Sequence, residues 1–326
     1  MCESTRREVC EVARSCPATT TETGKVGLKA PTVFTLDRSF VASLTLLAPH
    51  SQKTTSGREH WTRTKLPIRV LMPAIDNEIW GKLALVTGAS GGIGAACARD
   101  LFVNGANLAL TYSSNKTSVE ELFHELSQKD GSRKITSHQA DMASDADLKR
   151  LYEEIKSSHG KGPDILVANA GYGKRTSSIL DIDVEEWDYT INVNLRASFI
   201  LTKLAVAHMI EQRWGRIIYI SSIAAGGTSI NGCHYSASKA GVQGLSKNLA
   251  IKLGKDGITC NDVAPAMITG TGMIPDEEFL KGTPGDVRNI PVGRAGTTQE
   301  CANVVTMLCR TGYITGQSIL LSGGLK

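Results

Sequence analysis

The chain has 326 residues, 41% of them hydrophobic and 21% charged, which suits one sizeable core with a segment appended, since one core seldom grows beyond about 250 residues. Its formal charge of +4 lies wholly in the first 77 residues, where 11 Lys and Arg face 7 acids, leaving 25 of each beyond; a balanced body lacks the concentrated positive field that nucleic acid or an anionic membrane calls for. No apolar run approaches the roughly 20 residues of a membrane span, and the eight cysteines are scattered without a C-x-x-C pair, which excludes a zinc or disulfide framework and reads as free thiols in a reducing compartment.

Residues 1–77, rich in Thr, Ser and Arg, show no sustained period of two or 3.6 and are expected to be mostly disordered. The apolar stretch at 40–48 is too short and too far along for a secretory signal. Three readings of this leader stand side by side. It is a transit peptide, hydroxylated and Arg-bearing, although Glu3, Glu8, Glu11 and Glu22 lie where presequences are poor in acids; or a regulatory tail; or sequence upstream of a true start at Met72. A real transit peptide would send the protein to mitochondria, and otherwise a cytoplasmic location is expected.

From Lys82 the pattern changes to short apolar runs alternating with helical segments. Runs at 83–86, 107–111, 135–139, 165–168, 216–220, 258–263 and 318–321 predict seven strands, and their continuous apolar character favours a parallel sheet covered on both faces. The fold class is therefore α/β, a doubly wound Rossmann-type sheet in a single domain spanning 78–326. Its first helix buries Ile93, Ala96, Cys97 and Leu101 and stops at Gly105.

Thr87-Gly88-Ala89-Ser90-Gly91-Gly92-Ile93-Gly94 joins the first strand to that helix. Glycines let the backbone turn tightly and let a pyrophosphate approach amides at a helix N-terminus. The spacing is G-x-x-x-G-x-G, and a plain tight turn would need glycines too; the position at the head of a βα series favours a dinucleotide site. After the second strand, a carboxylate would hold an unphosphorylated ribose and repel a 2′-phosphate. Ser113, Ser114, Asn115 and Lys116 stand there instead, so NADP is favoured over NAD, a solvated turn being the alternative. Further on, Tyr235 and Lys239 are four residues apart and neighbours on one helix face. A phenol titrates near 10 and relays protons near neutrality only when a cation draws it down, a task suited to Lys239.

The glycine loop and the Tyr235–Lys239 pair together resemble the short-chain dehydrogenase/reductase family, from about Gly81 to the end. That resemblance implies an adenine contact at Asp141, a sheet-edge role for Asn169, and a nicotinamide carboxamide held by the backbone near Ile268 and Thr269, with Ala266 where the family usually has Gly. Gly88, Ser90, Gly92, Ile93 and Gly94 complete the implied cofactor contacts, together with Tyr235 and Lys239. It also implies that Ser222 orients the substrate oxygen and that Asn194 holds a relay water near Lys239. Read alone, Ser222 is a strand-end turn and Asn194 a helix-interior amide bonded to backbone.

The segments from Arg216 to Ala250 and from Tyr313 to Leu325 most resemble 3-oxoacyl-(acyl-carrier-protein) reductases. The expected function is thus an NADPH-dependent carbonyl reductase with Tyr235 as proton donor, acting on a 3-oxoacyl thioester. Arg213 sits at one of the family's two carrier-docking positions, but Asp256 occupies the other, and a negative charge there opposes an acidic acyl carrier protein. A free small ketone such as a sugar, polyol or polyketide-derived compound is the alternative, and a non-catalytic NADP sensor a second one. Residues 269–292 are expected to form a mobile lid. The resemblance further implies a homotetramer; no metal is expected.

Overall fold

The computed structural model describes residues 76–326 in full and, before them, three backbone strands, Thr35–Leu36, Ala42–Lys53 and Glu59–Val70. These strands form an antiparallel sheet of their own in the unit Met1–Ala74. Leu44 pairs with Ile68 and Leu46 with Leu66, a short alternation that the expectation of a mostly disordered leader passed over. The other residues of 1–75, with the readings placed on them and Cys2, Cys10 and Cys16, lie outside the described residues.

The second unit, Ile75–Lys326, alternates strand and helix as the apolar runs predict. In chain order it holds β1 (Leu83–Val86), α1 (Gly92–Val103), β2 (Asn107–Tyr112), α2 (Lys116–Lys129), β3 (Ile135–Gln139), α3 (Asp145–His159) and β4 (Ile165–Ala168). There follow α4 (Val184–Ile191), one π turn (Asn192–Arg196), α5 (Ala197–Gln212), β5 (Gly215–Ile220), α6 (Gly232–Leu253), β6 (Ile258–Pro265), α7 (Thr298–Cys309) and β7 (Ser318–Leu321). The seven strands lie in the order β7-β6-β5-β4-β1-β2-β3, all parallel.

Side-chain alternation divides each central strand between two cores. Ala84 and Val86 join one cluster with α1 and α7, whereas Leu83 and Leu85 join the other with α3, α5 and α6. Strands β4 and β5 divide in the same way, so both sheet faces are covered, as a parallel sheet requires. The run Val184–Gln212 is long and apolar enough by composition to cross a membrane, which the search for apolar runs did not anticipate. In the fold its buried residues Val193, Ala197, Leu201, Ala205 and Met209 belong to the second core.

At the base of the sheet Asp164 fixes the register of the central strands. Its carboxylate accepts from the Leu83 amide at 2.7 Å, from Lys161 Nζ at 2.5 Å and from His208 Nε2 at 2.9 Å, tying β1, β4 and α5 at one buried point. Replacing Asp164 with Ala leaves the Leu83 amide buried without a partner, and is expected to cost about 1–3 kcal/mol. Urea unfolding of the two proteins measures this difference.

Candidate active site

The strand order reverses between β1 and β4. Their following loops therefore leave the sheet in opposite directions, and a crevice opens at the carboxyl ends of the strands. A cleft of about 860 Å³ fills it, lined by residues that follow β1 through β6.

On its cofactor side, the glycine loop is fixed by a clasp between Thr87 and Asn169. Thr87 Oγ1 accepts from the amides of Asn169 and Ala170, each at 2.9 Å, while Asn169 Nδ2 donates to the carbonyls of Thr87 at 2.8 Å and Gly88 at 3.2 Å. Gly88 adopts a positive φ of 65°, and its amide donates to Thr111 Oγ1. Gly94 lies behind the loop, where a Cβ would stand 2.3 Å from the Gly88 carbonyl oxygen and 2.6 Å from Asn169 Nδ2. The start of α1 has neither a side-chain cap nor an acidic residue in its first turn, so its amides are available to an anion.

Gly88, Ser90, Gly92, Ile93, Ser113, Asp141, Asn169 and Ile268 all line this cleft. The other expected contacts are placed differently. Asn115 caps α2 by accepting from the Ser118 amide, Lys116 pairs with Glu120 at 3.1 Å, and neither they nor Ser114 line the cleft. Capping engages Asn115 Oδ1 and not its Nδ2 donors, and Ser113 is the residue of that turn that lines the cleft. Thr269 also turns away, its amide and hydroxyl both donating to the Gly296 carbonyl. Gly94 contributes through close packing and does not face the cleft. A residue missed from sequence is Thr271: its methyl lies where a Cβ on Gly92 would come within 2.9 Å, so the segment after β6 covers the glycine loop. A hydroxyl residue between Gly270 and Gly272 carries no periodic signal.

The four residues expected to act chemically converge at the end of β5. Tyr235 and Lys239 face the cleft from α6, and Ser222 faces it from the end of β5. Ser222 Oγ accepts from the Ala224 amide at 3.1 Å, which leaves its own hydrogen available to another acceptor. Lys239 Nζ donates to the Ile220 carbonyl at 2.8 Å and lies 5.7 Å from the centre of the Tyr235 ring.

The electrostatics correct one expectation. Burial pushes the Tyr235 phenol above its ordinary range, and the Ser222 hydroxyl partly opposes it. Burial also lowers Lys239 to about 8, with Asp262 pulling the other way. Desolvation dominates because both groups lie inside the fold.

Asn194 sits in the π turn, a distortion frequent at functional sites. Its Oδ1 accepts from the Tyr172 amide at 2.7 Å, and its Nδ2 donates to the Tyr172 carbonyl at 2.9 Å and Ser238 Oγ at 3.0 Å. The side chain therefore binds backbone, the plainer of its two readings, but the backbone it binds borders the site. A Cβ at Gly171 would stand 3.3 Å from Lys239 Nζ and 3.5 Å from Asn194 Oδ1. Only glycine leaves that space between them.

The substrate side is lined by Ile223, Ile230, Met267, Met273, Ile274 and Tyr189, with the polar Thr228, Ser229 and Asn231 among them. The segment 269–292 is held by its own hydrogen bonds, Thr271 Oγ1 accepting from the Ile274 amide and Asp286 from the amides of Gly282 and Arg288. Among the described residues Cys97, Cys260, Cys301 and Cys309 are buried free thiols and Cys233 an exposed one, and no cluster suited to a metal occurs.

Residues 82–278 match the family described as short chain dehydrogenase. The chain is 35% identical over 253 residues to the 3-oxoacyl-(acyl-carrier-protein) reductase FabG of Aquifex aeolicus (strain VF5), covering 76% of this chain and 98% of that protein. It is 35% identical over 254 residues to a (3R)-3-hydroxyacyl-CoA dehydrogenase of Canis lupus familiaris, covering 74% and 95%. Among solved structures, a double mutant of a Serratia marcescens short-chain dehydrogenase/reductase aligns with a TM-score of 0.69 at 33% identity, over 76% of this chain and 98% of that one. A blue fluorescent protein from a metagenomic library, in complex with NADPH, aligns with the same TM-score at 34% identity and the same coverage. A match across most of the domain, to relatives covered almost end to end, means that this chain belongs to the short-chain dehydrogenases/reductases, NAD(P)-dependent oxidoreductases acting on CH–OH groups.

Proposed function

We propose that the chain is an NADPH-dependent ketone reductase in which Tyr235 donates the proton and the substrate is a 3-oxoacyl thioester. The observation that carries this reading is the convergence of Ser222, Tyr235 and Lys239 in one cleft with the glycine loop. The cofactor half fits a dinucleotide: the uncapped start of α1 suits a pyrophosphate, and Ser113, not a carboxylate, follows β2. One solved relative is in complex with NADPH, which supports the same choice.

When bound, the reduced nicotinamide supplies the hydride. The side chains then have separate tasks. A phenol raised by burial keeps its proton at neutral pH and releases it only to a strongly basic oxygen, the alkoxide that develops as a ketone is reduced. Ser222, its lone pair engaged by Ala224, donates to that oxygen and orients it. Lys239, anchored on the Ile220 carbonyl, puts a positive charge beside the phenol as it becomes anionic. Asn194 holds the Tyr172 backbone so that Gly171 stays open between it and the ammonium.

The apolar part of the substrate side offers room for an acyl chain, and the relatives named for 3-oxoacyl and 3-hydroxyacyl thioesters support that class. A second reading, a free small ketone, is favoured by one feature. Asp256 sits beside Lys255, whose carbonyl accepts from Arg213, and a negative charge at that position opposes an acidic carrier protein. The proposal includes a homotetramer, for which exposed Ile179, Leu180, Val184, Trp187 and Phe199 supply apolar surface.

NADPH oxidation with a short 3-oxoacyl thioester and with unrelated ketones tests the reading; turnover of free ketones alone would remove the thioester assignment. Tyr235→Phe is expected to lower turnover by roughly 10²- to 10⁴-fold while NADPH binding, followed by fluorescence, persists. Unchanged turnover would refute the donor role.

In the wild type, kcat/KM for reduction should fall as pH rises through about 8, where Lys239 loses its proton. Ser113→Asp should move cofactor preference toward NADH by placing a carboxylate against the 2′-phosphate; the ratio of kcat/KM for the two cofactors measures it.

A further inference from the structure

Asn231 lines the substrate side of the cleft one helical turn before Tyr235 and two before Lys239, so the three side chains stand in a row along one face of α6. It is also the residue at which that helix begins, and asparagine is among the residues best suited to closing a helix start with its own side chain. Helices α2, α3, α4 and α7 are closed in this way, by Asn115, Ser144, Asp183 and Thr297. Asn231 does not do the same for α6: its side chain accepts nothing from the first turn.

The amide is turned across the cleft instead. A Cβ on Gly173, in the loop after β4, would stand 2.8 Å from Asn231 Nδ2 and 3.2 Å from Tyr235 Cε2. Glycine at that position therefore leaves a gap bounded by the side-chain amide and the edge of the phenol. The local turn is served by backbone alone, the Asn231 N–H donating to Ser229 Oγ at 3.0 Å. Among the described residues Nδ2 itself has no acceptor, and the cap that an asparagine could have supplied has been given up.

A 3-oxoacyl thioester has a use for such a donor. The ketone oxygen goes to Tyr235 and Ser222, but the thioester carbonyl is a second acceptor that loses water on entering the cleft. Carbons 1 and 3 are roughly 2.5 Å apart, and a hydrogen bond adds about 3 Å. A donor displaced about 5.4 Å from the phenol, one turn along α6, is thus within reach of the second oxygen. Asn231 lies on the side of Tyr235 away from Lys239, where the remainder of the substrate must extend.

We propose that Asn231 is a specificity-determining residue, whose Nδ2 donates to the second carbonyl of a 1,3-dicarbonyl substrate, the thioester carbonyl of a 3-oxoacyl chain. The inference deepens the function proposed above and rests on it. Asn231→Ala removes the amide, while Asn231→Asp keeps its size and its capacity to cap but has no donor.

The full-length wild type and both variants are to be compared on three ketones with NADPH: the acetoacetyl thioester of N-acetylcysteamine, acetylacetone, and methyl propyl ketone, which lacks the second carbonyl. In both variants the ratio of kcat/KM for either dicarbonyl to that for methyl propyl ketone should fall by roughly 10-fold. Ratios that match the wild type would overturn the proposal. Melting temperature gives a readout independent of turnover: Asn231→Ala should leave it unchanged, whereas loss of a working cap would lower it by about 2–4 °C and refute the orientation argued here. A wild type that prefers acetylacetone to methyl propyl ketone but leaves the thioester untouched, with that preference lost in Asn231→Ala, would keep the role of Asn231 and remove the thioester reading. No turnover of either dicarbonyl would remove both.

Discussion

The clasp between Thr87 and Asn169 is the interaction on which the rest of the site depends. Where the strand order reverses, the ladder between β1 and β4 runs out at Thr87, whose amide donates to the Val167 carbonyl, and the loops beyond it need another tie. Four hydrogen bonds, two received by the Thr87 hydroxyl and two given by the Asn169 amide, supply it. Gly94 then fits behind the loop because it has no Cβ. Since Asn169 directly follows β4 and leads into Gly171 and Tyr172, the same clasp also indexes the chemical half of the cleft to the cofactor half.

That chemical half works by excluding water around a small number of charges. Burial raises the phenol and lowers the ammonium, and either shift alone would weaken a proton relay. Together they suit the proposed reduction, in which the donor would start protonated and negative charge would appear only as the reaction proceeds. Groups fixed before that charge develops need no reorganisation when it does. Lys239 on its carbonyl anchor, Ser222 with its acceptor side engaged and Asn194 committed to Tyr172 all meet this condition.

Most of the domain was legible because its signals are local. Strands buried on both faces are continuously apolar, and the runs at 83–86 and 165–168 coincide with β1 and β4, while β3 and β7, at the sheet edges, are only partly buried. The glycine loop was legible because the chemistry there is carried by backbone, which only particular residues permit. In the turn after β2 the helix cap left no signal: Asn115 Oδ1 accepts from the Ser118 amide at the start of its own helix. Thr269 was lost to Gly296 for a related reason, a partner distant in sequence. The π turn around Asn194 is a register shift within a helix and leaves no mark on a 3.6-residue pattern. The pairing of Ala42–Lys53 with Glu59–Val70 escaped because most of its positions are polar.

The two halves of the cleft differ in kind. A dinucleotide is the same molecule in every enzyme that uses it, so the half that holds it is restricted to a few backbone shapes, and the restriction shows as glycines at fixed spacing. The substrate half is built from the π turn, the loop after β5, the segment after β6 and the chain end, whose apolar side chains approach one another only in the folded protein. Met267 illustrates the consequence. It holds a positive φ of 53°, unusual for a residue with a side chain, and its sulfur lies where a Cβ on Gly285 would be 2.2 Å away. One strained residue thus packs over a glycine eighteen positions later, and the substrate boundary between them follows from that packing. Such a contact has no period and no motif, which is why the reaction class could be read from the chain while the outline of the substrate had to come from the fold.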